Sequence, residues 1–126
     1  MTKPKVFVIG VGMTKFCKPG SRDWDYPDMV KEAVNMALDD CKLKYSDIQQ
    51  ATVGYLFGGT CCGQRALYEL GFTGIPIFNV RLTQLCCINR CKVNNACASG
   101  SSGLLLNYVV GNSDVVLACG FEKMAT

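Results

Sequence analysis

Ala51-Thr52-Val53-Gly54-Tyr55-Leu56-Phe57 is a continuous β-rich run stopped by Gly58-Gly59. A strand with one wet face alternates apolar and polar residues, whereas a strand covered on both faces reads as one largely apolar run. The stretch therefore predicts a strand of a parallel sheet covered on both faces. Upstream, a helix is expected to start near Tyr26-Pro27, with Asp25 or Asp28 against its positive end and Pro27 in its first turn. Met29, Val30, Ala33, Val34, Ala37, Leu38 and Cys41 make one stripe at spacings of three and four, and Lys42 and Lys44 close the helix. Further upstream Lys5 to Val11 (KVFVIGV), closed by Gly12, reads as another buried strand, followed by turn chemistry at Lys18 to Arg22. Downstream come a short helix (Gln64 to Leu70), a strand (Ile75 to Val80) whose Pro76 suits an edge or a strand start, an apolar helix (Leu104 to about Val110) and a strand (Asp114 to Gly120). This alternation predicts an α/β fold: a mostly parallel sheet with helices on both faces.

The chain has 126 residues, 49% of them hydrophobic, which suits one domain or a piece of one and excludes a disordered linker. Its net charge of +3 contains no block of five or more like charges, so no nucleic-acid partner is expected. No apolar run approaches the ~20 residues of a membrane-spanning helix, and the N-terminus is too short and strand-like for a signal peptide. There is no His, so no mechanism that needs an imidazole can be completed within these residues. Nine Cys is an odd count, and several sit inside apolar patterns, which predicts free thiols in a reducing compartment rather than a disulfide framework.

In Val93-Asn94-Asn95-Ala96-Cys97-Ala98-Ser99-Gly100-Ser101, a cysteine precedes small residues that lead into a helix. Small neighbours allow close approach of a ligand, and the positive helix end favours a thiolate. That end is worth about 0.3–1 kcal/mol, under one pKa unit. It assists activation without supplying a proton acceptor, and the same position equally suits a buried structural cysteine. Cys86-Cys87-Ile88-Asn89-Arg90-Cys91 lacks a CxxC pair and a His, so no metal site is expected. Cys61-Cys62-Gly63 reads as a thiol-bearing loop. Gly10-Val11-Gly12 has neither the third glycine nor the immediate helix of a dinucleotide loop.

Val6 to Phe16 (VFVIGVGMTKF) resembles the start of the sterol carrier protein X type thiolases, which are peroxisomal 3-oxoacyl-CoA thiolases. Val53 to Gly58, Cys62-Gly63-Gln64-Arg65-Ala66 and Thr73 to Ile77 are similar to that family's next blocks. Asn94 to Ser101 is similar to its nucleophile segment, and Gly120-Phe121-Glu122-Lys123-Met124 to the strand end beyond. The resemblance implies a thiolase-like fold, with residues 1–126 forming an incomplete first βαβαβαββ half. It implies that Cys97 is the nucleophile of an acyltransferase, forming an acyl-thioester from a 3-oxoacyl-CoA, with coenzyme A as substrate and no bound cofactor or metal. It also implies a homodimer in the full-length family, with Ile75 to Val80 at the interface. Localisation would be peroxisomal, although no Ser-Lys-Leu type signal is present, and otherwise cytoplasmic. Residues 81–93 stand as an atypical insert ahead of the nucleophile segment. The chain stops at Thr126 without the second half or the family's histidine motifs, so alone it is expected to be inactive. The alternatives are a catalytically dead fragment that pairs with a full-length subunit, and a fragment of a ketoacyl-synthase-like condensing enzyme.

Overall fold

The computed structural model describes residues 5–81, 100–101, 103–104 and 113–123. Helix α1 (Tyr26–Cys41) begins where the sequence places it. Asp25 caps it by accepting from the Tyr26 amide at 2.7 Å, and Asp28 returns a bond to the Asp25 amide at 2.9 Å, a reciprocal capping box. Of the expected stripe, Val30, Val34 and Leu38 are buried, as is Pro27. Lys42 ends the helix in the left-handed conformation, φ 58°.

A 3-10 turn (Tyr45–Asp47) leads into strand β1 (Gln50–Tyr55), buried at every position. Helix α2 (Cys62–Tyr68) follows, then β2 (Ile77–Arg81) and β3 (Val116–Phe121). The sheet order is β2-β1-β3, all parallel. Pro76 directly precedes β2, which ends the sheet among the described strands, and its carbonyl accepts from the Ala51 amide at 3.0 Å.

Successive strand residues face opposite sides of the sheet, and the contacts of β1 identify both. A Cβ built on Gly63 of α2 would meet the Val53 side chain, so Val53 faces the α1/α2 layer. A Cβ built on Gly103 would come within 2.7 Å of Thr52 Cγ2, so the helical residues Gly100, Ser101, Gly103 and Leu104 lie on the other face. Helices thus cover both faces, as the continuous run in β1 requires. The core lies between β1 and the α1/α2 layer, around Val30, Val34, Val53, Ala66 and Leu67.

Several boundaries and one whole element differ from expectation. Cys62 and Gly63 belong to the first turn of α2 rather than to a loop. The third helix is already formed at Gly100, four residues ahead of Leu104. The main correction concerns Lys5 to Val11, which pairs with no strand among the described residues. It runs instead as an extended ribbon against α1, with Val6, Phe7, Val8, Ile9 and Val11 between 57% and 75% exposed. Gly10 and Gly12 explain the placement. A Cβ on either would collide with α1 backbone at Ala37 or Ala33, so the absence of side chains lets the ribbon press on the helix. The Val11 amide donates to Asp40 Oδ2 at 3.0 Å, so an α1 carboxylate takes the donor that a strand neighbour would have taken. These glycines serve helix contact, not a dinucleotide.

Candidate functional site

Cys97, the sequence-predicted nucleophile, lies outside the described residues, as do Cys86, Cys87, Cys91 and the insert beyond Arg81. What the structure provides is the surface on which the adjoining helix sits. Gly54 and Gly120 are register partners, each one residue short of the carboxyl end of its strand. A Cβ on Gly120 would come within 3.1 Å of the Gly54 carbonyl oxygen and 3.8 Å of Gly100 Cα. Two strands and a helix therefore converge where none of the three carries a side chain. From Gly100 near Gly120 to Gly103 over Thr52, the helix runs back along β1. Its amino-terminal side thus lies toward the carboxyl ends of the strands, the end at which parallel α/β sheets take their ligands. Gly100 follows Cys97 by three residues in the chain.

On the opposite face the carboxyl ends are fastened by aromatic rings. Phe121 stacks between Tyr26 (centroids 4.7 Å apart) and Tyr55 (5.1 Å), joining the first turn of α1 to the last residues of β3 and β1. The Arg65 guanidinium lies 5.5 Å from the Tyr26 ring centroid. Tyr55 donates its hydroxyl to the Gly59 carbonyl at 2.8 Å, and the buried Cys62 Sγ accepts from the Gly59 amide at 3.0 Å. Burial, and then its hydrogen bond with Cys62, raise the Tyr26 phenol above its ordinary value, so Tyr26 stays protonated at neutral pH. Lys123, two residues beyond β3, reaches Asp25 Oδ1 at 3.0 Å. That ammonium, with the Tyr26 amide, holds the Asp25 carboxyl below the usual carboxylate value.

A second fastening ties α2 to the edge strand. Asn79 Oδ1 accepts from the Gly63 amide at 2.8 Å, and Asn79 Nδ2 donates to Gln64 Oε1 at 2.6 Å. The chain leaves β2 just beyond this clamp on its way to the segment that carries Cys97.

The five described cysteines are free thiols. Cys17 and Cys61 are exposed, and Cys119 sits against the core, where burial pushes its thiol up to about 12 and keeps it inert. No group of His, Cys, Asp and Glu among the described residues could hold a metal ion. No described helix is long and apolar enough to cross a membrane. Sequence reasoning missed the Gly54–Gly120 convergence, the three-ring stack and the Asn79–Gln64 clamp. Only the first left a local trace, the small residues at alternate positions, Thr52 and Gly54 in β1 and Ala118 and Gly120 in β3.

With this geometry in place, comparison with known proteins adds a family. Residues 6–126 match the model of the N-terminal domain of thiolase. The chain is 73% identical to Non-specific lipid-transfer protein-like 2 of Caenorhabditis elegans, covering 98% of this chain and 28% of that protein. It is 50% identical to Sterol carrier protein 2 of Oryctolagus cuniculus, covering 96% of this chain and 21% of that protein. It is 33% identical to an Acetyl-CoA acetyltransferase of Methanocaldococcus jannaschii, covering 94% of this chain and 29% of that protein. The chain thus spans less than a third of the length of each of these relatives.

Proposed function

The chain belongs to the thiolase family through its N-terminal domain, and on that premise we propose that it carries the nucleophile of a sterol carrier protein X type 3-oxoacyl-CoA thiolase, Cys97. The observation that supports this reading is the convergence of Gly54, Gly120 and Gly100 at the carboxyl ends of β1 and β3. It seats the helix that follows Cys97 with its positive end toward the ligand side of the sheet.

In the proposed reaction the Cys97 thiolate adds to the C3 carbonyl carbon of a 3-oxoacyl-CoA. The C2–C3 bond then breaks, its electron pair leaving with acetyl-CoA or its 2-methyl homologue, propanoyl-CoA, as a carbanion that takes up a proton. The acyl group stays on sulfur as a thioester until the thiol of coenzyme A, losing its proton, takes it and returns the thiolate. Both proton transfers need a general acid–base. These residues hold no His, the side chain that most often fills this role, so in this reading that group comes from elsewhere in a complete enzyme and the 126-residue chain alone does not turn over. A full-length homodimer, peroxisomal residence and the insert at 81–93 belong to the same reading. In this reading residues 81–93 are unremoved non-coding sequence; sequencing the mature transcript across Val80 to Asn94 tests this, and abundant message retaining these residues would refute it.

Competitive alkylation with iodoacetamide at neutral pH tests the nucleophile. Cys97 is expected to react several-fold faster than exposed Cys17 and Cys61, with its rate falling as pH drops. Faster labelling of Cys17 or Cys61 would remove the assignment.

A second reading draws on β2, which pairs on one side with β1 and on the other with no described strand, and whose Phe78 is exposed. An open edge bearing an aromatic residue suits docking on a full-length subunit. Gel filtration with and without the full-length enzyme separates a pairing fragment from one that stays alone.

A further inference from the structure

We draw no further inference here: the strongest candidate, the exposed aromatic patch that Tyr68 and Phe72 form at the carboxyl end of α2, is an apolar surface for which nothing in the structure shows what covers it.

Discussion

Lys5 to Val11 and Gln50 to Tyr55 are two runs that read as strands and have opposite fates. Every residue of the second is buried at the centre of the sheet, while the first lies in water along α1. The difference does not reside in their propensities, since Val, Ile and Phe are at least as frequent in the excluded run. It resides in their neighbours. β1 has a strand on each side and helices above and below, whereas the ribbon meets a helix backbone through two glycines and loses its Val11 donor to Asp40. β propensity is the ability to fit such surroundings rather than a property of the segment alone.

The same substitution in both runs is the most direct way to break this comparison. Val53→Ala, at a fully buried site, is expected to cost about 2–3 kcal/mol, and Val8→Ala less than about 0.5 kcal/mol, in urea unfolding. Equal costs would mean that the ribbon is covered in solution. Glycine contacts come next. Gly120→Ala sets a methyl group within 3.1 Å of the Gly54 carbonyl oxygen, which must give way, costing about 1–3 kcal/mol and slowing Cys97 alkylation. Gly12→Ala lifts a largely exposed ribbon off α1, so global stability should move by less than about 0.5 kcal/mol while hydrogen exchange at Val11 accelerates.

A smaller effect sharpens the contrast between the fastened and unfastened margins of α1. Asp25→Ala removes the cap and the Lys123 partner and should cost about 1 kcal/mol, most of it from the cap because the ion pair is exposed to solvent. The folded-state carboxyl of Asp25 titrates below its unfolded value, so its stabilisation is complete above about pH 4. It is lost as pH falls through the lowered folded value, and Asp25→Asn should flatten that part of an acid titration followed by circular dichroism. Lys42→Gly acts in the opposite direction. It relieves a left-handed lysine and should stabilise by about 0.5–1 kcal/mol, raising the urea midpoint.

Much of the architecture was legible because its signals are short-range. Asp25, Pro27 and Asp28 mark the start of α1 within four residues, and Val30, Val34 and Leu38 mark its buried side. Pro76, which suits an edge or a strand start, directly precedes Ile77, the first residue of β2. The cysteine ahead of small residues that the sequence singles out lies outside the described residues, and the contacts around the helix that follows it left little trace in the sequence. The Gly54–Gly120 pair joins residues 66 apart in the chain, and the Tyr26–Phe121–Tyr55 stack draws its rings from three separate elements.

The start and capping of α1, its buried stripe and the want of an imidazole follow from the residues alone. Each depends on the identity of a side chain or on spacings within a few residues. The tertiary structure decided which of two apolar runs enters the sheet and which glycines meet. Those outcomes turn on partners distant along the chain, whose hydrogen bonds and buried area exist only once the chain has come together.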